Sequence, residues 1–107
     1  MTEAELLHAA RLAALGAPAR LAALRLLVRA GDDGVTVGDL QRRLDMAPST
    51  LAHHLSSLVD AGLVRQARRG REVWCTADFT ALRQTADFLI EACCQGLEPL
   101  SDVRRLA

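Results

Sequence analysis

Residues 47–74 read Ala47-Pro48-Ser49-Thr50-Leu51-Ala52-His53-His54-Leu55-Ser56-Ser57-Leu58-Val59-Asp60-Ala61-Gly62-Leu63-Val64-Arg65-Gln66-Ala67-Arg68-Arg69-Gly70-Arg71-Glu72-Val73-Trp74, and their pattern changes period halfway. The first half is helical. Pro48 suits a first helical turn, where its missing N–H would have no partner anyway. Leu51, Leu55, Leu58 and Val59 recur at i, i+4, i+7 and i+8, which is one apolar stripe. Ser49, Thr50, His53, Ser56, Ser57 and Asp60 fall on the other side. Gly62 stands where a left-handed cap closes the helix, so the helix covers about 48–61. Beyond it, Leu63–Ala67 and Glu72–Thr76 are short strand candidates on either side of Arg68-Arg69-Gly70-Arg71. They make a hairpin over about 63–76 with a basic tip.

Upstream, Val35–Leu40 introduces a short third helix, with Thr36 and Asp39 spaced like a capping box and Leu40 and Leu44 as its ridge. Asp45-Met46-Ala47 is a tight connection into Pro48. Two short helices joined so closely must cross steeply, which is a helix-turn-helix, and the basic hairpin after it is a wing. Two helices precede this unit, over 3–15 and 18–29, separated by Gly16-Ala17-Pro18. A turn follows at Gly31-Asp32-Asp33-Gly34. After the wing, Asp78 caps a long last helix over 78–95, with Leu82, Ala86, Leu89, Ile90 and Cys93 on one stripe. Gly96 and Pro99 end it, and the last eight residues form a loosely held tail. The expected fold is mainly α with a small β-hairpin wing, an α+β winged helix-turn-helix of order α-α-α-α-β-β-α, in a single domain over 1–107.

Composition agrees with a small helical domain. Half of the 107 residues are hydrophobic but only Trp74, Phe79 and Phe88 are aromatic, and the Leu/Ala/Arg/Glu bulk favours helix. Net charge is zero, so no global field points to a nucleic acid, yet residues 65–72 carry four arginines against Glu72 alone. Specific DNA binding needs only the contacting face to be positive. No apolar run is long enough to span a bilayer, and Met1–Glu5 lacks a basic signal-type start, so the expectation is a cytoplasmic protein with no membrane partner. No nucleophile–base–acid set or phosphate loop suggests an enzyme.

The candidate DNA contacts are Ser49, Thr50, His53 and His54 on the fourth helix and Arg68, Arg69 and Arg71 on the wing. Short hydroxyl and imidazole side chains at a helix start can bond phosphates or base edges, and the helix N-terminus adds amide donors. The alternative is a solvated polar face. His53 points outward and is the better contact candidate; His54, next to Leu55, suits a partly buried, hydrogen-bonded structural role better than a DNA contact. Charged hairpins also protect strand edges, but such edges mix signs, and this tip carries three arginines before its first acid.

Cys93 and Cys94 form a vicinal pair near the end of the last helix. A single cysteine on an apolar stripe packs in a core, whereas a pair whose last turn frays can converge on one soft centre, among them trivalent arsenic and antimony. A third thiol, Cys75, ends the second wing strand and is either core or a third ligand. In a reducing compartment none of the three is expected in a structural disulfide.

With these residues in place the chain resembles the ArsR/SmtB-type winged-helix metalloregulators. The runs that carry the resemblance are Leu15–Leu21, Ser49–Leu55, Asp60–Val64 and Arg68–Val73, and together they span most of the chain. The resemblance implies a homodimer that represses a resistance operon from a pseudo-palindromic operator and lets go when an inducer binds. Phe88–Gly96 is similar to the C-terminal inducer site of the arsenical-responsive branch, with Cys93 and Cys94 as its thiols. Two departures matter: Val37–Leu40 contains no Cys-x-Cys element, and residues 95–107 contain no further cysteine. Arsenite takes three thiolates, so two imply a methylated or aryl trivalent arsenical; a contribution from Cys75 would admit arsenite, with antimonite a further candidate. No permanent cofactor is implied. The expected function is therefore an arsenical-released repressor of an arsenic-resistance operon. A thiol-redox or persulfide sensor of the same fold and a helical dimerisation module without a DNA role are the alternatives.

Overall fold

The expected alternation of helix, turn and hairpin is present in the computed structural model, which describes residues 1–97. In chain order its elements are α1 (Glu3–Leu15), α2 (Pro18–Ala30), β1 (Val35–Thr36), α3 (Val37–Leu44), α4 (Pro48–Asp60), β2 (Val64–Arg69), β3 (Glu72–Ala77) and α5 (Phe79–Ile90). A single 3-10 turn, Gly31–Asp33, links α2 to β1. Pro99 and the expected tail over 100–107 lie outside the described residues.

Local chemistry sets the helix ends. Thr2 caps α1 through its hydroxyl to the Glu5 amide, and Thr36 caps α3 the same way at Asp39. Asp39 does not complete a reciprocal box; its carboxylate turns to Arg43 at 2.9 Å and Arg42 at 3.6 Å. The α3–α4 turn is made without glycine. Asp45 takes the left-handed conformation there, and the Met46 amide reaches back to the Gln41 carbonyl. At the end of α4, Gly62 has φ +77° and the Leu63 amide bonds the Leu58 carbonyl, which closes the helix and turns the chain into β2.

The wing carries one strand more than the expected hairpin. β1 pairs with β3, so the sheet is antiparallel with order β1-β3-β2, Val35 opposite Cys75 and Thr36 opposite Trp74. A two-residue strand has no period of its own, and this one depends on a close approach. Gly34 has φ +77°, and a β-carbon there would lie 2.6 Å from the Cys75 carbonyl oxygen. Only glycine lets the chain lie against β3 at this point.

Leu27, Leu40, Leu51, Leu55, Leu58, Leu63 and Cys75 are fully buried, joined by Ala23, Leu24, Val64, Ala77 and Ala81. This core lies between α2, α3, α4 and the inner face of the sheet. The expected stripe of α4 is thus the part of the chain that faces inward.

The last helix departs from expectation. It stops at Ile90, not at residue 95, and Ala92 and Cys94 both have positive φ. Its inner residues are Ala81 and Thr85, with Leu82 partly covered. Ala86, Leu89, Ile90 and Cys93 of the expected stripe are exposed. A helix this short is held by packing rather than propensity, and nothing in the described chain covers its outer face past Phe88. α5 is fixed instead by α1. Buried His8 bonds the Thr85 hydroxyl through Nδ1 at 2.7 Å, and buried Arg11 donates from Nη1 to that hydroxyl and to the Ala81 carbonyl, both at 3.2 Å. The His8 ring also stacks on Phe88 at 4.3 Å.

Candidate nucleic-acid interface and thiol site

α4 divides its side chains cleanly. While Leu51, Leu55 and Leu58 are buried, Ser49, Thr50, His53 and Ser56 are exposed on the opposite side and available to a ligand. Because Pro48 opens the helix and no side chain caps it, the first-turn amides beside Ser49 and Thr50 keep their capacity for an external acceptor. His54 is half-buried, as its neighbour Leu55 implies, but the hydrogen bond expected of a structural histidine is missing. Its Nδ1 is shielded and has no partner. The ring is tilted against His53, with centroids 5.9 Å apart.

On the wing, Arg68, Arg69 and Arg71 are all exposed and none of them forms an ion pair with a described residue. Arg65 is different. It pairs with Asp78 at 3.2 Å and ties the root of the wing to the start of α5. The Asp78 carboxyl is held below the usual carboxylate range, first by the Ala81 amide it accepts from as N-cap and then by the Arg65 charge. The molecule thus offers a solvent-facing helix surface with open amides and, on the wing that packs against α4, three guanidiniums without ion pairs among the described residues. This is a surface suited to anionic backbone contacts.

The three thiols occupy unlike environments. Cys93 and Cys94 are free and exposed, with their sulfurs 3.1 Å apart. The positive φ at Ala92 and Cys94 turns the chain back on itself here, which is how neighbouring side chains that would diverge on a helix come together. The contact with the Cys94 thiol, and secondarily desolvation, raises the Cys93 pKa above the ordinary thiol value. Cys75 is wholly buried between Val35 and Gln66 in the sheet. Gln66 donates to its sulfur at 3.5 Å, and burial pushes its pKa up. The structure does not bring Cys75 to the pair. Among the described residues, no three His, Cys, Asp or Glu side chains gather where a metal ion could be held.

Sequence reasoning missed the link formed by His8, Arg11 and Thr85. A signal existed, since His8 and Arg11 are three apart and share a helix face, but their partner is more than seventy residues away. Arg11 Nε remains buried without a partner, so this link is polar and incompletely satisfied.

Comparison with known proteins agrees with the geometry. Residues 15–67 match a family described as a helix-turn-helix domain. The chain is 30% identical over 73 residues to the transcriptional activator HlyU of Vibrio cholerae serotype O1, covering 68% of each protein. An ArsR-like transcriptional regulator from Rhodococcus sp. RHA1 superposes with a TM-score of 0.78 at 26% identity, covering 99% of this chain and 97% of that one. A crystal structure described as a possible transcriptional regulator for arsenical resistance is 25% identical, with a TM-score of 0.67 over 91% of this chain and 95% of its own. No helix among the described residues is long and apolar enough to cross a membrane.

Proposed function

This chain belongs to the ArsR family of winged-helix, DNA-binding transcriptional regulators, which are not enzymes, and from that premise we propose that it is a cytoplasmic, homodimeric repressor released from its operator by a trivalent arsenical. The observation that carries the reading is the pair of exposed thiols 3.1 Å apart at Cys93 and Cys94. With metal–sulfur bonds of about 2.3 Å, two sulfurs at that spacing can share one soft centre. A trivalent arsenical bearing two hydroxyls exchanges them for the two thiols. Two As–S bonds form, two As–O bonds break, and each thiol proton leaves with a hydroxyl as water.

Two accessible thiols suit an arsenical whose third valence is carbon, methyl or aryl. Burial of Cys75 against Gln66 and Val35 supports this preference over arsenite, since recruiting that sulfur would require opening the sheet. The partner copy fits the exposed apolar outer surfaces, Leu6, Leu7 and Leu12 of α1 with Leu89 and Ile90 of α5. In such a dimer two α4 helices meet successive major grooves about 34 Å apart on a pseudo-palindrome. The inducer site follows directly on the apolar end of α5, so capture there changes the spacing of the two readers, a coupling of roughly 1–3 kcal/mol.

The test is a titration of release from a duplex of the chain's own promoter, with arsenite beside a methylated trivalent arsenical. Cys93→Ser and Cys94→Ser are expected to bind the duplex and fail to release it, and Cys75→Ser to behave as the native chain with the methylated arsenical. Normal release by either member of the pair sinks the site. A second reading, oxidation of the pair to a disulfide or persulfide, draws on the same 3.1 Å approach. A mass change and release after polysulfide treatment without any arsenical response would favour it.

A further inference from the structure

The two adjacent arginines of the wing tip are not equivalent. In the β2–β3 register Arg68 faces Val73, and Gln66 faces Cys75, on the buried side of the sheet; Arg69 faces Glu72, and Ala67 faces Trp74, on the other side. Arg68 and Arg69 therefore leave the strand on opposite faces. Arg69 and Trp74 are diagonal neighbours on one face, close enough for long side chains to meet. They do meet, with the Arg69 guanidinium 5.0 Å from the centroid of the half-buried Trp74 ring. Arg69 takes this position although Glu72 is its direct cross-strand partner and forms no ion pair with it. Trp74 lies on the central strand, and on its other side it is paired with Thr36, the residue that caps α3. The strand that carries the ring is thus tied to the start of α3, and not only to the other strand of the hairpin.

We propose that Trp74 is a positioning residue for DNA binding, its ring holding the Arg69 guanidinium on the outer face of the wing for a contact with the nucleic-acid backbone. Arg68 and Arg71 remain unanchored arms. An arginine loses considerable rotamer freedom when fixed on a phosphate, and a face-on aromatic ring removes part of that loss before binding. The ring leaves the guanidinium its donors, because a cation–π contact uses the π face rather than the N–H groups. A carboxylate partner would have occupied them. The inference rests on the chain's being a DNA-binding regulator, and goes beyond it by assigning the wing an internal division of labour.

The test is a double-mutant cycle on mixed-sequence duplex DNA across a salt series. Arg69→Ala is expected to weaken binding and to lower the salt slope by about one phosphate per wing. Trp74→Leu is expected to weaken it roughly two- to fivefold per wing with the slope retained, because Arg69 still reaches the backbone. In the Arg69→Ala background Trp74→Leu should cost nothing more, and Trp74→Phe should keep most of the native affinity. Equal losses from Trp74→Leu with and without Arg69 would overturn the proposal. Trp74 is the only tryptophan, so its emission reads the pair without altering the ring. DNA should change that emission in the native chain and not in Arg69→Ala; an identical change in both also overturns the proposal. A native chain that binds no DNA at low salt would instead remove the reading on which the inference rests.

Discussion

Leu58 and Ile90 are both aliphatic and both lie in the last turn of a helix, yet Leu58 is wholly buried and Ile90 is 69% exposed. The difference separates two regions of the molecule. From β1 to β3 every apolar ridge meets another element of the same chain: α4 rests on α2 and the sheet, and β3 is paired on both edges. The end of α5 has no such cover, with Leu89 60% exposed and the chain turning out of helix directly after Ile90. A DNA reader must keep its shape to match a groove, and this one is complete within a single chain. The thiol end is incomplete, and its conformation is therefore open to control by whatever binds it. A coupling of roughly 1–3 kcal/mol, the size expected for the inducer proposed above, would be lost in a fully packed core; at an uncovered helix end it has something to move.

The first way to break this comparison is to substitute each residue in turn. Leu58→Ala leaves a cavity in the core and should lower stability by about 2–5 kcal/mol, read as a fall in the urea midpoint. A loss below about 1 kcal/mol would mean that the reader is not held by this core. Ile90→Glu should instead act on association. With the α1–α5 surface as the dimer face, it removes about 1.5–3 kcal/mol per protomer, seen by sedimentation as a shift to monomer. An unchanged dimer constant would place the interface elsewhere, and the exposure of Ile90 would need another cause.

What was legible in the sequence follows the same division. The α4 stripe, its Pro48 start, the Gly62 stop and the Thr36 cap were readable, because each depends on residues within a few turns of one another along the chain. β1 was not, since two residues have no periodicity and Val35 and Thr36 become a strand only by pairing with residues 74 and 75. Burial of Cys75 depends on that same pairing, which is why the sequence left core and ligand open for it. The end of α5 misled for the opposite reason. Its apolar spacing continues to Cys93, but spacing states which residues could share a face, not whether anything covers that face. His8, Arg11 and Thr85 were invisible because their contacts join the two ends of the chain. In His54 the local reading succeeded for burial and failed for hydrogen bonding, which depends on distant partners.

The smallest expected effect lies where the two regions join. Asp78 ends the wing and starts α5: its amide bonds the Leu63 carbonyl at 2.8 Å, its carboxylate caps the helix at the Ala81 amide, and Arg65 from β2 pairs with it. Removing the cap by Asp78→Ala should cost about 1 kcal/mol. The contribution is also dependent on pH, and its sign is fixed by the direction of the shift. The carboxyl pKa is depressed in the folded chain by the Ala81 amide and by Arg65, so the unfolded chain binds its proton more readily. Stability from Asp78 is therefore complete above about pH 4, the unfolded value, and is lost as pH falls through the lower folded value. The native chain should lose more stability than Asp78→Ala on acidification from neutral pH, and the two urea midpoints should converge. Parallel curves would mean that the carboxylate does not hold the junction. The order of α5 relative to the wing would then rest on the bond from the Asp78 amide to the Leu63 carbonyl and on the link of His8 and Arg11 to Thr85, and a change at the end of α5 would reach the reader through α1 rather than through the Arg65 pair.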